Sequence, residues 1–188
     1  MCIQNLPVVF CVDRAGLVGA DGETHQGIFD LSYLSMIPNM TVCAPKNKYE
    51  LYDMLYFAYQ YHGPIAIRYP RGSAYEGFKN MRPPIEYGTS ERMFEGEKIA
   101  LVAVGSMVQT AVQVREKLLD KGINATVVNA RFVCPLDTEC LDRLSRDPQW
   151  IVTMEENVLK GGFGEACGDY LLARPEDVRL TTVGVPDV

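Results

Sequence analysis

Short apolar runs and amphipathic stretches alternate along most of the chain. Residues 6–12, LPVVFCV, are β-branched and aromatic without interruption, the pattern of a strand buried on both faces. Residues 27–37, GIFDLSYLSMI, place Ile28, Leu31, Leu34 and Ile37 at helical spacing, and Pro38 ends the pattern. MTVCAP (40–45) predicts a second strand. NKYELYDMLYFAYQYHG (47–63) predicts a helix, with Asn47 as N-cap, Glu50 at the third helical position and Gly63-Pro64 as its stop. PIAIRYPRG (64–72) predicts a third strand. Residues 73–97 lose all periodicity and carry glycine, paired prolines and alternating charge, which marks a linker with one short strand.

The alternation then resumes. KIALVAVGS (98–106), NATVVNAR (124–131), QWIVTMEEN (149–157) and VRLTTVGVP (178–186) read as strands. VQTAVQVREKLLDKG (108–122), LDTECLDRLSRD (136–147) and GGFGEACGDYLLAR (161–174) read as helices, the first closed by Gly122. Strands and helices at this spacing predict parallel α/β architecture in both halves, the second half being able to fold alone.

Composition changes little in this picture. Of 188 residues, 47% are hydrophobic and 22% charged, ordinary for a soluble domain with a real core. A net charge of −6 with mixed signs speaks against a nucleic-acid surface, while leaving room for a local cationic pocket. No apolar run reaches the roughly 18 residues of a membrane span. The first ten residues lack a signal peptide's basic start. Cysteines at 2, 11, 43, 134, 140 and 167 form no CxxC pair, which predicts reduced core thiols and a cytoplasmic setting.

Candidate chemistry gathers where strands end, because ligands of open parallel sheets bind beyond the strands' carboxyl ends. Asp13 and Arg14 follow the first strand, and Arg68 and Arg71 close the third. Convergent arginines there would bind phosphate or carboxylate; otherwise they pair with Asp13 or Glu23 or lie solvated. The stretch DRAGLVGADGETHQG (13–27) adds glycines at 16, 19, 22 and 27, which let backbone amides approach a ligand or adopt positive φ. It also holds His25, suited to proton exchange near neutral pH, or else to a backbone hydrogen bond at a helix start. Asp21 would orient that histidine, hold a hydroxyl, or simply form a turn. His62, before Gly-Pro, reads as a helix end. GGFGE (161–165) misses the GxGxxG pattern, and a tight turn fits it better than a phosphate loop. The acidic pair Glu155 and Glu156 ends a strand without a histidine or second carboxylate cluster, and no metal-ligand spacing occurs.

The segments DRAGLVGADGETHQGIFDLSYLSMIPNM, PIAIRYPRG, RFVCPLD and VTMEENVLKGGFG resemble the transketolase-like, thiamine-diphosphate-dependent enzymes. DG-x-THQ is common to that family. The DRAG before it and the GIFDLSYL after it resemble the branch that joins pyruvate to D-glyceraldehyde 3-phosphate with loss of carbon dioxide. That product, 1-deoxy-D-xylulose 5-phosphate, feeds isoprenoid, thiamine and pyridoxal synthesis. The resemblance implies that Arg14 and Arg71 hold the acceptor's phosphate. It implies that His25 and Asp21 act catalytically at the reacting hydroxyl and carbonyl groups. It implies a homodimer, with thiamine diphosphate and Mg2+ as cofactors of the full-length enzyme. It divides the chain into the second half of a pyrimidine-binding domain (1–75), a linker (76–97) and a C-terminal domain with a mostly parallel sheet (98–188).

GADG (19–22) is not the family's Gly-Asp-Gly cofactor motif, and the cofactor-activating glutamate is expected upstream of Met1. The chain therefore reads as a fragment, expected to be inactive alone and not to hold the cofactor tightly. Two other readings stay open. One is a piece of another transketolase-like enzyme, either transketolase or a 2-oxo acid dehydrogenase β subunit. The other is a non-catalytic dimerisation module.

Overall fold

The computed structural model describes residues 1–146 and 150–186. The last residue of the helix expected at 136–147, the first of the strand expected at 149–157 and the final Asp187-Val188 lie outside the described residues.

The first half contains strand β1 (Val9–Val12), helix α1 (Asp30–Ser35), strand β2 (Thr41–Cys43), helix α2 (Lys48–Gln60) and strand β3 (Ile65–Arg68). The second contains β4 (Glu91–Phe94), β5 (Ile99–Ala103), α3 (Met107–Leu119), β6 (Thr126–Asn129), β7 (Phe132–Cys134), α4 (Thr138–Arg146), β8 (Trp150–Val158), α5 (Phe163–Leu172) and β9 (Arg179–Val185). The alternating α/β pattern read from the sequence is the pattern observed.

Two sheets form, ordered β1-β3-β2-β7 and β4-β6-β5-β8-β9. Pairing is parallel except at β2/β7 and β4/β6. The apolar runs are continuous because the central strands are covered on both sides. Ala100, Val102 and Val104 face one hydrophobic cluster, while Leu101 and Ala103 face another beneath α3. Val42, Ala44 and Ala66 likewise join the first cluster, and Cys43, Ile65 and Ile67 pack under α2. The first cluster takes residues from both sheets, so the halves share one core.

Three expectations need correction. The run 6–12 is not a strand buried on both faces: only Val9–Val12 is extended, and Val9 and Cys11 are exposed. Among the described residues β1 is an edge strand paired solely with β3, so just Phe10 and Val12 turn toward the core. Nor is the second half self-contained. Arg131, in the left-handed region at φ 55°, redirects the chain so that β7 runs antiparallel to β2 in the first half's sheet. Glu155 and Glu156 also do not end a strand, because β8 continues to Val158.

The expected N-cap is present. Asn47 Oδ1 accepts the Glu50 amide at 2.8 Å, meeting one of the free amides of the first turn. Its Nδ2 donates to the Gly77 carbonyl at 2.7 Å. Asn47→Ala should therefore lower stability by about 1–2 kcal/mol, read as a shift in the urea midpoint. An unchanged midpoint would show that the cap contributes nothing.

Candidate functional site

The site is built around the loop from Asp13 to Gly27. Gly16 and Gly27 exchange two backbone hydrogen bonds, at 2.8 and 3.0 Å, and close the excursion at its base. Both must be glycine. Gly16 sits at φ +78° against Glu156, and a Cβ on Gly27 would overlap the Arg14 carbonyl oxygen. Within the loop Gln26 acts as a brace. Its Oε1 accepts the Val18 amide at 2.6 Å, and its Nε2 donates to the carbonyls of Val18 (2.9 Å) and Gly22 (2.5 Å). This brace holds the 3-10 turn Gly19–Asp21 in place.

That turn delivers Asp21 between two arginines. Asp21 Oδ2 lies 2.8 Å from Arg14 Nε, and Oδ1 accepts from Arg71 Nη1. Arg14 Nη1 also reaches Asp13 at 2.5 Å. The Asp21 hydrogen bond, helped by the Asp13 charge, pushes the Arg14 guanidinium pKa further up. Arg14 itself holds a left-handed backbone at φ 61°, a conformation sustained only where surroundings enforce it. The Ala15 amide donates to the Tyr69 carbonyl at 3.1 Å, tying the loop's start to the chain segment that carries Arg71.

The structure therefore brings Arg14, Arg71 and Asp21 together. It does not bring Asp21 to His25, the orienting role considered from the sequence. His25 is exposed on the same loop, with Nδ1 2.9 Å from Thr24 Oγ1. Arg68 is not in the crevice. It is buried, its Nε meets both Asp30 oxygens at 2.9 and 3.0 Å, and its Nη2 donates to the carbonyls of Gly27 and Glu156. It anchors the loop's end to β8. His62 is exposed beyond the end of α2.

Beside the arginines lies a cleft of about 380 Å³ whose walls include Asp13, Asn47, Tyr69, Arg71, Tyr75 and Ser106. The segments that follow the first-half strands, the first turn of α2 and the start of α3 all contribute, so the cleft opens where the halves meet. Ser106 Oγ donates to Glu156, which touches the base of the loop through Gly16.

The glycine cluster at 161–164 is a helix start rather than a phosphate cradle. Glu155 Oε2 accepts the Phe163 amide at 3.0 Å and Oε1 the Gly164 amide at 2.8 Å, so the first amides of α5 are already engaged. Burial pushes the Glu155 carboxyl pKa up, and those two amides pull it partly back.

Sequence reasoning missed a buried polar network behind the cleft. Glu50 accepts from Lys46 Nζ (3.1 Å), the Lys46 amide (2.7 Å), Asn129 Nδ2 (2.9 Å) and Arg131 Nε (2.8 Å). Glu91 accepts from Lys46 Nζ at 2.6 Å and Asn129 Nδ2 at 3.1 Å, and lies 3.5 Å from Arg131 Nη2. Two cations and two carboxylates thus balance out of water. The Lys46/Glu50 spacing was the one available signal, and it is indistinguishable from an exposed i,i+4 pair.

The described residues do not fit a magnesium–diphosphate group. Among them no three His, Cys, Asp or Glu side chains converge as metal ligands. The amides of the α5 start are already taken by Glu155. Among the described residues no helix is long and apolar enough to cross a membrane.

Comparison with known proteins adds independent findings. Residues 1–76 match the family model "Transketolase, pyrimidine binding domain", and residues 88–188 match "Transketolase, C-terminal domain". The chain is 50% identical to 1-deoxy-D-xylulose-5-phosphate synthase of Lachnoclostridium phytofermentans and 47% identical to that of Synechococcus elongatus. Each alignment covers 100% of this chain and 30% of the relative, so the chain spans under a third of those proteins' length. A solved structure described as "Split gene transketolase, inactive beta4 tetramer" superposes with a TM-score of 0.89 at 31% identity, over 100% of this chain and 60% of that one.

Proposed function

The chain belongs to the transketolase family, and from that membership we propose that it forms the acceptor-binding part of a 1-deoxy-D-xylulose-5-phosphate synthase. In this reading the complete enzyme joins pyruvate to D-glyceraldehyde 3-phosphate with loss of carbon dioxide. Thiamine diphosphate, with Mg2+, is held by residues outside this chain and supplies the carbanion chemistry. The division at 1–75, 76–97 and 98–188 goes with the same reading.

One observation carries it: arginines from two different strand ends converge on a single carboxylate beside the cleft. Each guanidinium gives a carboxylate or phosphate a planar set of donors. The acceptor's phosphate takes the Arg14–Arg71 position. That places the sugar end of the acceptor on the loop bearing Asp21 and His25, where the two side chains hydrogen-bond its hydroxyl and carbonyl groups. His25, exposed and bonded on one nitrogen to Thr24, keeps its other nitrogen free to carry a proton.

The test is steady-state kinetics of the complete enzyme carrying Arg14→Ala or Arg71→Ala. Acceptor KM should rise roughly 10- to 100-fold, as for loss of a hydrogen bond to a charged group, while pyruvate KM stays within about twofold. Equal losses for both substrates would refute the phosphate assignment.

A second reading is favoured by the solved neighbour, whose description is of an inactive tetramer. In it the chain is an assembly subunit without activity of its own. Both readings expect the 188-residue chain alone to release no carbon dioxide from pyruvate. They part at the arginines, which an assembly subunit does not need.

A further inference from the structure

Asp21 sits where the proposed acceptor phosphate must go. Its two oxygens are divided between Arg14 and Arg71, the same two donors an incoming phosphate would use. The arginine side chains are 39% and 46% exposed, whereas that of Asp21 is only 13% exposed. The carboxylate thus occupies the inner side of the pair while the guanidinium edges stay open to solvent. Neither guanidinium grips Asp21 through a two-point fork, so each keeps donors in reserve.

Charge makes this arrangement exclusive. Arg14 and Arg71 are balanced by Asp13 and Asp21, so a phosphate dianion would meet a neutral cluster with two carboxylates facing it. Phosphate is bound well only if a carboxylate leaves. Asp21 bridges both arginines, so its departure frees both, whereas Asp13 meets Arg14. Its turn begins at Gly19 and is followed by Gly22, a Cβ on either would meet nothing within 4 Å, and Gly22 already stands at φ +72°. The turn has no side-chain cap, and its backbone is held by Gln26 at Val18 and Gly22 and by the Asp21 amide on the Val18 carbonyl at 3.1 Å, so what leaves the arginines is the Asp21 side chain.

We propose that Asp21 is an internal stand-in for the acceptor's phosphate, keeping Arg14 and Arg71 in place in the free protein and being expelled when phosphate arrives. This rests on the phosphate-site reading above and adds an order of events. The carboxylate is freed on the loop that carries His25 only after the acceptor's phosphate has docked. An aldehyde without a phosphate leaves Asp21 locked between the arginines. Selection for a phosphorylated acceptor then acts at two levels: the phosphate supplies binding energy, and it releases a group the reaction uses.

The experiment titrates the 188-residue chain with inorganic phosphate at constant ionic strength, read by calorimetry. Asp21→Asn should bind phosphate five- to twentyfold more tightly than the unaltered chain. Adding Arg71→Ala to Asp21→Asn should abolish the gain. Asp13→Asn is the control, because it removes an equal charge from the same arginine without vacating the bridge, and it should gain less than threefold. Equal gains for Asp13→Asn and Asp21→Asn would reduce the effect to net charge and overturn the stand-in. Equal affinities for Asp21→Asn and the unaltered chain would overturn it while leaving the phosphate site intact. Binding to neither the unaltered chain nor either single variant would remove both.

Discussion

Glu50→Ala should lower the unfolding free energy by about 3–5 kcal/mol, the cost of leaving a buried charge without its partner. Glu50 is 2% exposed and collects the Lys46, Asn129 and Arg131 side chains into one cluster. Without it, two buried cations face Glu91 alone. Those cations belong to different halves of the chain, so the loss falls on the junction as well as on one domain. Glu50→Gln, which keeps the shape and part of the hydrogen bonding, should lose less. Arg82→Ala, which breaks the exposed pair with Asp53, should barely register. Urea denaturation followed by circular dichroism measures all three. A loss below about 1 kcal/mol for Glu50→Ala would mean that Glu91 alone balances the site.

His25→Ala in the complete enzyme should reduce turnover roughly 10²–10⁴-fold, the range for a positioned proton-transfer group. Stability should hardly change, because the side chain is exposed and its recorded partner is the neighbouring Thr24. The pairing of these outcomes is what discriminates. A structural histidine would shift melting and leave the turnover of the surviving folded protein intact. Turnover within threefold of the unaltered enzyme would remove His25 from the chemistry.

The sequence made the elements readable wherever one residue's chemistry decides locally. Asn47 caps because its short side chain reaches the Glu50 amide, and Pro38 and Gly63-Pro64 stop helices by geometry. Burial on both faces was legible in KIALVAV, because both faces are in fact covered. The same inference failed for LPVVFCV, since a run of apolar residues records hydrophobicity and not which neighbours are present. β7 was illegible for a related reason. FVC is three residues long, and its partner β2 lies about 90 positions earlier, a pairing no local window contains. At the candidate site, the residue types announced Arg14, Arg71, Asp21 and His25. Their grouping did not follow: spacing of four suggested Asp21 with His25, whereas the turn aims Asp21 at arginines from two strand ends. Arg68 looked equivalent to Arg71 in sequence. Three residues along a chain leaving a strand were enough to bury one and leave the other beside the cleft.

The antiparallel seat of β7 beside β2 has a consequence for cutting the chain. Residues 76–90 run between the two sheets without contributing a strand, so they present the natural place for a protease or a gene break. A break there leaves an amino-terminal piece with the β2 edge bare, and a carboxy-terminal piece carrying the three residues that fit it. Each piece would hold half of the Glu50–Arg131 cluster and half of the shared core. The two should stay associated as a nicked pair and co-elute until denatured. Expressed separately, they should recover native structure only on mixing, as halves of a split protein do.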